Sequence, residues 1–111
     1  MTDSSSLERR SAARLPAAIA MELRDERGFS LHSSSDLSVG GAFFDRAIPH
    51  PVGHKLTVSF TLPGERQPIV CEGEVVNVPD KSSYGMGVRF LMMSDEDKRR
   101  LEAFTRQLQG G

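Results

Sequence analysis

The amino-acid sequence predicts an all-β domain with a C-terminal helix, built as a six-stranded antiparallel β-barrel. Three observations predict it. Apolar residues recur with a two-residue period in short segments between Pro16 and Leu91. Turns containing Gly or Pro separate those segments, and the period lengthens to three and four residues after Ser94. Short antiparallel strands at this spacing leave exposed edges, and closure or strong curling of the sheet removes them.

The 111 residues suit one domain, expected over 8–108. Residues 1–7, polar and Ser-rich, are expected to be a disordered tail. An irregular arginine-bearing loop follows at 8–15, then the barrel at 16–91, the helix at 94–108 and a short tail at 109–111. In the first strand Ala17, Ile19, Met21 and Leu23 alternate with smaller or polar residues, and Asp25-Glu26-Arg27-Gly28 is the next turn. Phe29, Leu31 and Leu37 continue an extended pattern that the Ser33-Ser34-Ser35 run interrupts. Ala42-Phe43-Phe44 forms the third strand, and the Pro- and Gly-containing loop from Ile48 to Gly53 ends it.

Leu56, Val58, Phe60 and Leu62 alternate with Lys55, Thr57, Ser59 and Thr61 in the cleanest strand of the chain. After the turn Pro63-Gly64-Glu65-Arg66, Ile69, Cys71, Gly73 and Val75 are expected to face inward, with Glu72 and Glu74 in water, although Val70, Val76 and Val78 blur this pattern. Beyond the loop Pro79 to Ser83, Met86, Val88 and Phe90 mark the sixth strand, where Gly85 and Gly87 suggest bending or close backbone approach. Ser94 and Asp97 then form a capping-box-like start, with Leu101, Phe104 and Leu108 on one helical face.

Fourteen basic and fifteen acidic residues leave a formal net charge of −1, which argues against general attraction to nucleic acid or anionic membrane. A single-stranded nucleic-acid barrel would need a basic groove and stacking aromatics, for which Phe43, Phe44 and Tyr84 are the candidates. The apolar stretch Leu15 to Met21 is too short to insert into a membrane, and a cytoplasmic location is expected. The lone Cys71 fits a reducing compartment and is expected as a small buried hydrophobe. No metal is expected: His50 and His54 lie four apart in a loop without an evident third ligand, and His32 belongs to a strand surface. Ser38 and Cys71 lack the partners of a nucleophile, so an enzyme is not expected and no cofactor is assigned.

Two segments carry the functional signal. Arg9, Arg10, Arg14, Arg24 and Arg27 place five of the fourteen basic residues in the first quarter of the chain, all as arginine. A guanidinium fork makes two parallel hydrogen bonds to a phosphate or a guanine edge, and an ammonium does not. Within that cluster Arg10 and Arg14 form RxxxR, and about twenty residues later Asp36-Leu37-Ser38-Val39-Gly40-Gly41 reads DxSxxG.

Taken together, these two motifs resemble the signature of the PilZ family of bacterial cyclic di-GMP receptors. Pro16 ahead of the first strand, the segment Tyr84-Gly85-Met86-Gly87-Val88-Arg89-Phe90 and the closing helix extend the resemblance over about Glu8 to Leu108. It implies a stand-alone receptor that binds cyclic di-GMP through Arg9, Arg10, Arg14, Asp36, Ser38, Gly40 and Gly41. In the family the arginine loop is mobile and folds over the ligand, so 8–15 is expected to be a switch that signals through an unidentified protein partner. An arginine at position 9 further implies capture of an intercalated pair of ligands.

The residue chemistry agrees with these roles. Guanine offers O6 and N7 to an arginine fork, whereas adenine offers a donor in place of O6. The Asp36 carboxylate suits the guanine N1–H and N2–H edge, and Ser38 can donate or accept nearby. Gly40 and Gly41 are expected to let a ligand approach the backbone and to permit positive φ. The alternative is a PilZ-fold protein adaptor that does not depend on nucleotide.

Overall fold

The structure, a computed structural model, describes residues 15–47, 50–77 and 85–110. In chain order its elements are β1 (Leu15–Pro16), β2 (Ala20–Asp25), β3 (Gly28–Ser33), β4 (Asp36–Ser38), β5 (Gly41–Phe44), β6 (Lys55–Phe60), β7 (Ile69–Val76), β8 (Met86–Met92) and a helix, α1 (Asp95–Gly110). The strands form a single sheet in the order β1-β4-β5-β8-β7-β6-β2-β3, with every neighbouring pair antiparallel.

Eight strands replace the six expected because the first two each divide at a bend. Around that bend Ser34 N–H donates to Ile19 O at 2.9 Å and Ala17 N–H to Ser35 O at 3.1 Å, so the two halves remain one antiparallel ribbon. The Ser34 hydroxyl completes the stitching: it donates to Ala17 O at 2.6 Å and accepts from Ile19 N–H at 3.1 Å. A buried side chain thereby satisfies backbone groups that the bent ladder leaves unmatched. One end of the ribbon pairs β1 with β4, and the other pairs β2 with β3. Both ends of the sheet order therefore belong to a single ribbon, which curls the sheet into a half-barrel.

The core lines the inside of that curl. Met21 and Leu23 of β2, Leu37 of β4, Phe44 of β5, Leu56, Val58 and Phe60 of β6, Ile69, Cys71 and Val75 of β7, and Met86 and Val88 of β8 are buried in one cluster, as strand alternation requires. Gly73 also faces inward, where a Cβ would stand 2.7 Å from Val88 Cγ1 and 2.9 Å from Val58 Cγ2. The expected Glu72 and Glu74 lie on the opposite face.

The extended pattern of Phe29 and Leu31 runs the other way from its neighbours. These side chains are 59% and 69% exposed, while Ser30 and His32 take the inward positions opposite Leu23 and Met21. An end strand tolerates this reversal because its inner face covers only the rim of the core. The Arg24 guanidinium sits 4.9 Å from the centre of the Phe29 ring and shields it.

The helix starts as its sequence suggests, with Asp97 N–H donating to Ser94 Oγ at 3.1 Å. The reciprocal half of a capping box is replaced: Asp97 Oδ1 accepts from Arg100 at 2.7 Å. Arg100 also meets Glu65 at 2.6 Å and donates to Gln67 O, tying α1 to the β6–β7 turn. Leu101 is fully buried and Phe104 packs on the core, whereas Leu108, expected on the same face, is 39% exposed near the helix end. The expected tail 1–7, residues 8–14 of the arginine loop, Ile48, Pro49, Val78, the loop Pro79 to Ser83, Tyr84 and Gly111 lie outside the described residues.

Candidate functional site

The DxSxxG segment forms β4, the turn Val39-Gly40 and the start of β5. Asp36 pairs with Phe43, Leu37 with Ala42 and Ser38 with Gly41, so the motif is a tight hairpin. Leu37 points into the core, which places Asp36 and Ser38 on the other face of the strand. Asp36 is half-buried, and Ser38 is buried with 4% exposure.

Ser38 is committed to the turn. Its hydroxyl donates to Gly41 O at 3.3 Å and accepts from Gly40 N–H at 3.1 Å. In this arrangement the side chain holds the hairpin in shape. Both of these hydrogen bonds are internal to the hairpin.

The glycines differ from expectation. Positive φ among the described residues belongs to Gly28, Gly53, Gly64 and Gly85, and to neither Gly40 nor Gly41. At position 41 a Cβ would stand 2.3 Å from Val88 O and 3.2 Å from Arg89 Cα. Glycine is required there by the approach of β8, which pairs Arg89 with Gly41. Gly40 is open, since an added Cβ would meet nothing nearer than Ser38 Oγ at 3.8 Å. It is the exposed member of the pair.

Arg9, Arg10 and Arg14 lie outside the described residues. The point at which their segment joins the sheet is fixed. Leu15 is opposite Leu37 and Pro16 is opposite Asp36, so Arg14 is bonded directly to a residue paired within the DxSxxG hairpin. The residues that directly follow the first half of the signature are thus paired with the strand that carries the second.

Two further features adjoin the hairpin. Arg89, across from Gly41, donates to Glu74 Oε1 at 2.6 Å and is held by that pair on the outer face. Val39, at the hairpin tip, helps to line an open groove of about 480 Å³ with Phe90, Met92, Met93, Lys98 and Glu102. Sequence patterning did not disclose this groove because it forms only where α1 returns to the end of β8.

Away from the hairpin, the structure supplies the third group that His50 and His54 lacked in sequence. Asp25, the last residue of β2, has Oδ2 at 2.9 Å from His54 Nε2. That contact is the main reason the Asp25 carboxyl is held below the ordinary carboxylate value, helped by the Arg27 N–H. Phe44 is a core residue and Phe43 is buried, so neither serves as an exposed stacking platform for nucleic acid. No helix among the described residues is long and apolar enough to cross a membrane.

Comparison with known proteins follows the same outline. The family model described as PilZ domain matches residues 8–107. No curated protein matches the chain. Among solved structures, the Bacillus subtilis inhibitor of motility (MotI/DgrA) is similar with a TM-score of 0.73 and 24% identity, over 91% of this chain and 52% of that one. This chain thus spans about half of that relative's length. The PilZ domain of CeSA from a cellulose-synthesizing bacterium is similar with a TM-score of 0.62 and 18% identity, over 88% of this chain and 99% of that one. A curled antiparallel sheet, a single C-terminal helix and a family match across nearly the whole sequence agree: the chain belongs to the PilZ domain family.

Proposed function

We propose that the chain is a cyclic di-GMP receptor, a binding module and not an enzyme, that changes conformation on binding and signals through a protein partner. The observation that carries this reading is the register of β1 on β4. It pairs the residues that follow RxxxR with the strand bearing Asp36, which supports a reading in which RxxxR and DxSxxG serve one surface. Arginine forks supply phosphate neutralisation and guanine O6/N7 recognition, and Asp36 supplies an acceptor for the opposite guanine edge. Ser38 and Gly41 contribute by shaping the hairpin. Gly40 leaves its outer side open.

Ordering the arginine segment over the ligand is the conformational step, and its cost lowers affinity below that of a preformed site. Calorimetric titration of the whole chain with cyclic di-GMP, beside cyclic di-AMP and GTP, tests the reading. Saturable, guanine-selective binding of cyclic di-GMP is the expected result, and equal binding of cyclic di-AMP would overturn it.

A second reading, a nucleotide-independent protein adaptor, is favoured by the exposed apolar side chains Phe29 and Leu31 on one outer face. The same titration separates the two, because the adaptor takes up no cyclic di-GMP.

A further inference from the structure

Asp25 ends β2 while His50 and His54 come from a separate loop, yet one ligand atom from each lies within 4.8 Å of the others. Each is positioned by contacts of its own. Asp25 Oδ1 accepts the Arg27 N–H at 2.9 Å, which turns Oδ2 toward His54. The backbone of His54 is fixed on both sides, its N–H donating to Pro51 O at 3.0 Å and its carbonyl accepting from Val75 N–H at 2.9 Å. Gly53 N–H donates to Val75 O at 2.8 Å, so the loop is fastened to the end of β7. The His50 ring stacks on His54 with centroids 4.9 Å apart and planes 13° apart.

We propose that Asp25, His50 and His54 form a binding site for a divalent transition-metal ion of the zinc class, with two imidazoles and one carboxylate as ligands and a fourth position open. The donor set selects the ion. Two nitrogens and one oxygen suit Zn²⁺, Ni²⁺ or Cu²⁺, whereas Mg²⁺ and Ca²⁺ take oxygen-rich shells. Metal–ligand bonds of about 2.0–2.2 Å place ligand atoms roughly 3.3–3.5 Å apart in a tetrahedral shell. Side-chain rotation of the His50 ring toward the Asp25–His54 pair closes the remaining distance. With its proton on Nδ1, His54 offers Nε2 as a lone pair, and the ion replaces the hydrogen bond to Asp25.

The site has an entrance. Asp25 and His54 line an open cavity of about 670 Å³ through which an ion can reach them; Glu26 and Glu72 also line it, balanced by Arg24 and Lys55. An ion bound here would clamp the end of β2 to the loop before β6. That end of the ribbon is opposite the one paired with β4, so the site is separate from the proposed nucleotide surface.

The test uses the untagged full chain, stripped with chelator and titrated with Zn²⁺ against a chromogenic zinc indicator. Thermal denaturation is followed with and without Zn²⁺. One Zn²⁺ per chain and a raised Tm are expected, with Mg²⁺ and Ca²⁺ giving neither. Asp25→Asn, His50→Ala and His54→Ala should each weaken Zn²⁺ binding by at least about tenfold. His32→Ala should leave binding unchanged. His50→Ala is the decisive variant, because it removes a stacked ring without breaking the Asp25–His54 contact, and its metal-free Tm reports whether the fold is intact. Absence of Zn²⁺ binding at equimolar metal would overturn the proposal. So would binding that an intact His50→Ala chain retains in full, or binding lost equally in His32→Ala.

Discussion

Gly41 lies so close to Val88 that a Cβ on it would stand 2.3 Å from the Val88 carbonyl oxygen, and β5 reaches β8 only without that atom. Gly41→Ala should therefore destabilise the fold by about 1–3 kcal/mol, the usual cost of forcing extra atoms into a packed site. Gly40→Ala, with 3.8 Å of clearance to Ser38 Oγ and no positive φ to maintain, should stay within about 0.5 kcal/mol of wild type. Denaturant midpoints compared at constant slope check both values. Equal stability of the two variants would contradict the close approach.

Ser38→Ala removes the acceptor for Gly40 N–H and the donor to Gly41 O inside a buried hairpin. A loss of about 1–2 kcal/mol is expected, since such bonds contribute modestly and orphaned partners cost more. Chemical denaturation measures it. A neutral effect would mean that the hydroxyl does not hold the turn.

Arg10→Ala and Arg14→Ala should each weaken cyclic di-GMP binding by about 1.5–3 kcal/mol, or roughly tenfold to a hundredfold, the range of a charge-assisted hydrogen bond. The Tm without ligand should not move, because the core of the described residues is built from apolar side chains of the strands and helix. Calorimetry and thermal denaturation on the same samples distinguish a binding role from a structural one.

Arg9 bears on stoichiometry. Two stacked cyclic di-GMP molecules bring four phosphate charges together, and a third permanently ionised guanidinium eases their repulsion. Two ligands per chain are expected for the wild type, with Arg9→Ala weakening the second more than the first. A wild-type ratio of one, or a ratio and affinities unchanged by the substitution, would remove that role.

Burial, reinforced by the negative charge of Asp97, pushes the Cys71 thiol up to about 12. Its folded-state value lies above that of a free thiol, so at pH 8 native Cys71 remains protonated and reacts slowly with alkylating reagents. Reaction should become fast in denaturant, where the thiol regains its ordinary acidity. Fast labelling of the native chain at pH 8 would show that the strand opens readily.

Local patterns in the sequence were sufficient where one face of a strand bears on the core. Leu56, Val58 and Phe60 are legible because each inward position is apolar and each intervening one polar, and Ser94 is legible because a cap acts within its own turn. The division of the first two strands was not, because it depends on Ser34 bonding to Ala17, seventeen residues away. Phe29 and Leu31 misled in the opposite sense: on an end strand, apolar alternation does not identify the inward face. In the candidate site, Asp36, Ser38 and Gly41 were legible as a spacing, while the duties of Ser38 and Gly41 required coordinates. Both are set by backbone neighbours, one within the hairpin and one on a strand nearly fifty residues on. Asp25 was invisible as a partner of His54 because the two are twenty-nine residues apart.

The strand that completes the sheet is the last one synthesised. β8 sits between β5 and β7, although every other strand precedes it in the chain. Before it is available, β1-β4-β5 and β3-β2-β6-β7 are two incomplete leaves joined through their shared bent ribbon, each presenting a bare row of amides and carbonyls at the gap. Any pairing among the earlier strands can complete neither rim until β8 has been made. Residues 86–92 then bond on both sides at once, and that insertion converts a pair of sticky leaves into a finished wall.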